Sequence, residues 1–180
     1  MTRLAITSTI IGVASIAGRV PGIVAPGKFG ECARKFPRSV LWGRILMGVA
    51  ALWAWIVMYN AATDDWAWAR PIVLVGVPIA YFLVIQFADQ FLALRGLAAL
   101  MLLIAKLMVD AADQSELPMR LIVTVLAYIW VCVAVWMASA PHQVRDVVGF
   151  ITANNTRCRL ACFVGMCVGV LLVVLGLCVY

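Results

Sequence analysis

The chain has 180 residues, of which 66% are apolar and 12% are charged, and its mean hydropathy is +1.06. Soluble domains average about 45–50% apolar and about 25% charged residues, so this composition excludes a soluble globular domain and indicates an integral membrane protein. The net charge of +6 comes from basic residues grouped in particular connections. That grouping is typical of membrane orientation and not of a nucleic-acid-binding surface, so no nucleic-acid partner is predicted.

Six apolar runs predict six transmembrane helices. Most approach the ~20 residues that a helix needs to cross a bilayer. Backbone groups in hydrocarbon must be paired within their own segment, so each run is expected to be helical. The predicted fold is therefore an all-α polytopic membrane domain that spans residues 1–180. The runs cover residues 4–24, 40–59, 71–87, 91–109, 121–138 and 160–180.

The connections between the runs alternate in charge. The first, third and fifth are basic or carry an arginine close by, whereas the second and fourth are mainly acidic. Lys and Arg collect on the cytoplasmic side of a membrane. We therefore expect a multi-pass protein of the cell membrane, most simply a bacterial inner membrane, with both termini on the outer side. The basic residues concerned are Lys28, Arg34, Lys35, Arg38, Arg44, Arg95, Arg145, Arg157 and Arg159.

Two of the basic connections predict short amphipathic helices. In each, apolar residues recur at positions i, i+3, i+4 and i+7, which is one face of a helix. Charged residues occupy the other face, so both helices should lie in the cytoplasmic interface. The apolar positions are Phe29, Cys32, Ala33 and Phe36 in the first connection, and Val144, Val147, Val148 and Ile151 in the fifth.

The same two connections suggest an internal repeat. A shift of 115 residues places Pro26 on Pro141 and Arg44 on Arg159. Residues 4–60 and 119–180 then form two helical hairpins around a central hairpin at 66–115. Both copies would run in the same direction, unlike the inverted repeats of many transporters. The first run also has features of a signal peptide, because Arg3 precedes it, but the repeat favours a retained helix.

Both copies resemble the short two-helix bacterial membrane proteins of the uncharacterised DUF2065 family. The resemblance rests on Pro26, Arg44 and Gly48 in the first copy, within "VAPGKFGECARKFPRSVLWGRILMGVAALWAWIVM", and on Pro141, Arg159 and Gly165 in the second. It implies a helix that ends near a proline, a short basic amphipathic connection, and an arginine that leads a glycine-rich helix. It implies no activity.

The two matched arginines are predicted to anchor the protein. Arg44 and Arg159 each open the helix that returns from the cytoplasmic surface. A guanidinium there can hold a lipid phosphate in bidentate fashion, or it can cap a carbonyl of a neighbouring helix. Membrane lipids are therefore predicted partners.

The fourth run is the most polar and offers a possible path for a solute. Arg95 and Lys106 share a helix face, and Lys106 can pair with Asp110 one turn further on. Intramembrane charges are candidates for function, and Gln86 and Asp89 are possible partners of Arg95. However, long side chains near helix ends also snorkel to the headgroups.

Small residues in the last run predict close helix packing. Gly165 and Gly169 form a G-x-x-x-G motif, and Gly176 lies one heptad further on. Such residues let two helices approach closely. Ser8, Gly12 and Ser15 form a similar small face on the first run. The sequence fits packing within one chain as well as it fits oligomerisation.

The cysteines, the histidine and the loop carboxylates are predicted to have structural roles or to be solvated, not to form a reactive site. Cys158 and Cys162 are one turn apart beside basic residues, which favours thiol reactivity, but cysteines in apolar runs generally act as small hydrophobes. His142 is the only histidine, and no C-x-x-C pair occurs, so no metal and no cofactor are predicted. The outward carboxylates lack the spacing of a calcium loop. They are Asp64, Asp65, Asp110, Asp113 and Glu116.

These features predict a non-catalytic membrane protein, an accessory or scaffolding subunit of a larger membrane assembly with other membrane subunits as partners. The alternative is a small channel or transporter whose polar path is lined by Gln86, Asp89, Arg95 and Lys106. The direction in which those side chains face distinguishes the two. A lipid-modifying enzyme is the third class, for which few acid–base residues are available.

Overall fold

The computed structural model describes residues 3–61, 68–87, 91–114 and 119–178. They form eight α-helices and one 3-10 turn at Phe36–Arg38, with no strand among them, which confirms the all-α prediction. The helices are α1 (Arg3–Val24), α2 (Pro26–Lys35), α3 (Val40–Ala61), α4 (Ala69–Phe87), α5 (Leu92–Asp113), α6 (Arg120–Ser139), α7 (Pro141–Thr152) and α8 (Asn155–Cys178).

Five of these helices, α1, α3, α5, α6 and α8, are long and apolar enough to cross a membrane. The apolar part of α4, Arg70–Gln86, is shorter. At 1.5 Å per residue it extends about 26 Å, a few ångströms less than the hydrocarbon core of a typical bilayer. The multi-pass membrane class is compatible with this structure, and the sixth span remains a prediction.

The two short helices begin in the same way. Pro26 and Pro141 each occupy the first turn, where a missing N–H costs nothing because that group has no partner inside the helix. The preceding residues, Ala25 and Ala140, have nearly identical backbone angles, with φ −132° and ψ 68° in one and φ −130° and ψ 63° in the other. The two helix starts thus match at the offset of 115 residues that the sequence predicts. The repeat of the whole hairpins remains a prediction.

The predicted apolar faces of α2 and α7 are only partly covered by protein. Val144 is buried, but Cys32 and Val147 are exposed. In α2 the buried residues are instead Pro26 and Gly30. Both helices thus keep exposed apolar positions, which suits contact with lipid, and their interfacial location remains a prediction.

The most extensive contact in the protein joins its first and last long helices, α1 and α8. They run antiparallel, and their backbones nearly touch where two glycines meet. A Cβ atom on Gly12 would lie 2.7 Å from the Gly169 carbonyl oxygen, and one on Gly169 would lie 3.0 Å from the Gly12 carbonyl oxygen. Real Cβ atoms seldom come so close to other atoms, so only glycine fits this crossing.

Helix α5 lies between α3 and α6 and forms the centre of the remaining bundle. It runs parallel to α3, where a Cβ on Gly43 or on Gly96 would lie 2.9 Å from a backbone nitrogen of the other helix. Alanines and Met108 on α5 pack against Val123 and Ala127 of α6, and against Leu4 and Ile11 of α1. Helix α5 therefore joins the α1–α8 pair to the rest of the chain.

Helix α4 lies at the periphery and packs mainly on α3. Tyr81 approaches Gly48 there, with its hydroxyl oxygen 3.2 Å from the position of a Cβ on that glycine. None of the α4 residues with a described side chain is buried.

These contacts give the bundle two chemically different ends. One end, called here the basic end, carries α2, α7 and the first two turns of α3, α5 and α8. The other end carries the first turn of α1 and the last turns of α5 and α8. The basic end holds Lys28, Arg34, Lys35, Arg44, Arg95, Arg145, Arg157 and Arg159.

The α1–α8 crossing predicts a position-specific effect of valine substitution. Gly12→Val should lower the free energy of unfolding by roughly 1–3 kcal/mol, because its side chain has no room against α8. Gly18 lies on the same helix with no atom within 4 Å of a Cβ, so Gly18→Val is the matched control and should cost much less. Unfolding in mixed micelles with increasing SDS measures both variants, and equal losses would contradict the crossing.

Candidate functional site at the basic end

Helices α2 and α7 are joined by a side chain that reaches from one to the other. Arg34 Nε donates to Thr152 Oγ1 at 2.8 Å, and Arg34 Nη2 donates to the Thr152 backbone oxygen. A Cβ on Gly30 would lie 3.3 Å from Thr152 Cβ, so the two helices also approach closely at this point. One arginine and one glycine of α2 therefore meet the last residue of α7.

An open groove of about 470 Å³ lies beside this junction. Arg145 in the groove donates from Nε and Nη2 to Asp146 Oδ1, at 3.1 and 2.9 Å. The Asp146 side chain is 65% exposed, so this ion pair contributes little to stability. The groove is lined by Arg34, Pro37, Arg145, Asp146, Val148 and Gly149.

The two arginines predicted to be anchors occupy comparable places. Arg44 lies in the second turn of α3 and Arg159 in the second turn of α8, and both are exposed at the basic end. Neither side chain makes a hydrogen bond or an ion pair within the described part of the chain. Nearby, the Arg157 guanidinium stacks 4.4 Å from the centre of the Phe150 ring. The two guanidiniums are therefore available to groups outside the protein.

Sequence reasoning missed the arginine between α1 and α8. Arg19 Nη1 donates to Ser15 Oγ and lies 3.4 Å from the Gly165 carbonyl oxygen of α8. A Cβ on Gly165 would overlap the Arg19 side chain, so this glycine makes room for the guanidinium. The signal was present, because Arg19, Ser15 and Gly12 share one face at spacings of three and four residues.

The described residues of the predicted polar path lie on two helices, with Gln86 on α4 and Arg95 and Lys106 on α5. Gln86 is exposed on α4, and Arg95 is half-buried near the start of α5. Lys106 pairs with Asp110, and both side chains are about half exposed. Lys106 lies eleven residues beyond Arg95, about 16 Å along the helix. Asp89 lies outside the described residues.

All three glycines of the predicted packing motif lie against α1. Gly165 meets Arg19, Gly169 meets Gly12 and Ile16, and Gly176 meets Ala5, Ser8 and Thr9. Small residues on α1 therefore face small residues on α8 within the same chain. The glycine face that sequence alone could equally assign to oligomerisation is occupied by α1.

The cysteines and acidic residues that the structure describes form no set of metal ligands. Cys158 and Cys162 are buried, and the Cys162 sulfur occupies the space where a Cβ of Gly22 would stand. Among the described residues, no three His, Cys, Asp or Glu side chains come together as metal ligands. His142 and Asp113 are exposed. Three acidic residues, Asp64, Asp65 and Glu116, lie outside the described part.

Comparison of the chain with protein-family models, with curated proteins and with solved structures found no match. The resemblance to the DUF2065 family therefore remains a prediction.

The junction between α2 and α7 predicts that a substitution at Arg34 lowers the protection of the α2 amides against hydrogen exchange. Arg34→Lys keeps the charge but loses the two-pronged bond to Thr152, because an ammonium lacks the planar fork. We expect hydrogen exchange of the α2 amides to accelerate about fivefold to tenfold, the equivalent of about 1 kcal/mol, which is the net contribution of one ordinary hydrogen bond. Lys28→Arg is the control on the same helix. Unchanged α2 protection in Arg34→Lys would contradict the junction.

The contact of Arg19 with Gly165 predicts energetic coupling between two helices. Gly165→Ala should destabilise the protein because its Cβ displaces the guanidinium. In an Arg19→Ala background the same change should cost about 1 kcal/mol less, since the obstructing side chain is gone. A double-mutant cycle of unfolding free energies measures the coupling. Strictly additive effects would show that the two residues do not touch.

Proposed function

We propose that this protein is a non-catalytic accessory or scaffolding subunit of a larger assembly in the cell membrane. Its basic end would face the cytoplasm, because Lys and Arg collect on that side, and both termini would lie outside. Arg44 and Arg159 would anchor this end by holding lipid phosphates. Both are exposed and free of protein partners among the described residues, which supports that role.

The observation that carries the proposal is the uncovered side of α4. Ile72, Val75, Ile79 and Phe82 are each more than half exposed, and they recur at spacings of three and four residues on one face. Gly76 lies among them with no atom within 4 Å of a Cβ. These five residues are called here the α4 face.

Two further properties favour protein over lipid as the neighbour of the α4 face. Small residues in membrane helices let a second helix approach closely, and Gly76 provides that opening. The apolar part of α4 is also shorter than the other spans, and a short span is accommodated in part by association with other helices. A partner subunit with its own membrane helix fits both properties.

The distribution of polar residues supports a scaffold over a conduit. A channel or transporter needs a continuous polar lining through the bundle. Of the candidates described, Lys106 is paired at one end, Arg95 lies near the other, and Gln86 is exposed on a peripheral helix. Arg95 and Lys106 lie about 16 Å apart along α5, so the two charges give no support to a continuous lining.

Site-specific photo-cross-linking in native membranes tests the proposal. A photoreactive phenylalanine analogue at Phe82 should cross-link one membrane protein of defined mass. The same analogue at Phe163 is the matched control, because Phe163 is an equally large residue, 53% exposed on α8 against 67% for Phe82 on α4. The control should yield lipid adducts only.

A second variant separates partner contact from chain stability. Gly76→Leu should leave the unfolding free energy nearly unchanged, since a Cβ at this position has no atom of another element within 4 Å. It should abolish the Phe82 cross-link, because the partner helix would lose its close approach. Lipid adducts alone at Phe82, or the same products at both positions, would overturn the proposal.

A further inference from the structure

The groove between α2 and α7 combines two guanidiniums with one carboxylate. Arg34 comes from α2 and Arg145 from α7, so each helix supplies one cation to the lining. Asp146 is the acidic residue of that lining, which leaves a formal surplus of one positive charge. The volume of about 470 Å³ lies within the range of small-ligand sites. The electrostatics thus favour an anion of headgroup size.

Both guanidiniums keep hydrogen-bond donors that the protein does not use. A guanidinium has five N–H donors in a planar fork. Arg34 uses Nε and Nη2 toward Thr152, and Arg145 uses Nε and Nη2 toward Asp146, so Nη1 of each has no acceptor among the described residues. Charged N–H donors from two sides are the arrangement that recognises a phosphate.

The location of the groove identifies the source of that phosphate. Helices α2 and α7 lie where the apolar spans end, at the depth of the lipid headgroups for a chain that crosses the bilayer. Pro37 and Val148 add apolar surface beside the two arginines. A ligand with a phosphate next to a glycerol and acyl chains matches this combination better than a free anion does.

We propose that the groove between α2 and α7 binds the phosphate group of a membrane phospholipid, with Arg34 and Arg145 as its donors. This site is distinct from Arg44 and Arg159, and it does not depend on the scaffolding role.

Lipid retention by the full-length protein tests the site. The protein is purified in mild detergent, exchanged into nanodiscs that contain phosphatidylglycerol, and analysed by native mass spectrometry for lipid that stays bound. In an Arg44→Gln/Arg159→Gln background, which removes the other proposed phosphate contacts, Arg145→Gln should reduce retained phospholipid about tenfold, the effect of one charge-assisted hydrogen bond. Lys28→Gln removes the same charge on α2 outside the groove and should change nothing. Equal retention in that background with and without Arg145→Gln would overturn the proposal.

A second variant, expected to increase phospholipid retention, distinguishes loss of the site from loss of the fold. Asp146→Asn removes the carboxylate that competes for Arg145, so it should raise phospholipid retention severalfold, which a damaged fold would not do. Unchanged or lower retention in Asp146→Asn, with an unaltered melting temperature, would also overturn the proposal.

Two further arms identify the source of the phosphate. Diacylglycerol with the same acyl chains lacks the phosphate and should not be retained. Millimolar inorganic phosphate should leave the bound phospholipid in place. If inorganic phosphate instead displaces the lipid and protects the protein against thermal unfolding by itself, the ligand is a soluble phosphate and the lipid assignment is wrong.

Discussion

The approach of Gly12 to Gly169 determines much of this structure. Helices in a membrane gain little from burying apolar surface, since lipid is equally apolar, so association depends on packing and polar contacts. The paired glycines bring the backbones of α1 and α8 within a few ångströms of each other. That crossing joins the two ends of the chain, and α5 then links the pair to α3 and α6. Helix α4 lies outside both groups.

The crossing also organises the basic end. Because α1 and α8 are antiparallel, the last turn of α1 and the first turn of α8 lie together, and α2 and α7 extend from them toward each other. Arg34 and Thr152, 118 residues apart in sequence, meet as a result. The groove and its two arginines are thus a consequence of the α1–α8 pairing. The position of the Arg19 side chain depends on the same pairing, because Gly165 of α8 leaves space for it.

The periodicity of apolar residues predicted the individual helices, but it did not predict which helices pack against each other. Over the described residues the apolar runs coincide with helices whose ends lie within a few residues of those predicted, because length and hydrophobicity determine a span. Pro26 and Pro141 marked the starts of the two short helices for a local steric reason. The small faces of α1 and α8 were also visible. The contact between these two faces could not be predicted, because a glycine motif does not specify which helix packs against it. The contact between Arg34 and Thr152 likewise depends on long-range packing.

Cysteine cross-linking of α1 to α8 in native membranes is the most direct measurement of the central claim, that the first and last helices pair within one chain. In a background without the natural cysteines, Thr9→Cys and Gly176→Cys should form an intramolecular disulfide, because a Cβ on Gly176 would overlap Thr9 Oγ1. Ile10→Cys with Gly176→Cys should not, since Ile10 is 63% exposed and faces away. A bridge that forms only between two chains, or equally well from both positions, would contradict the pairing.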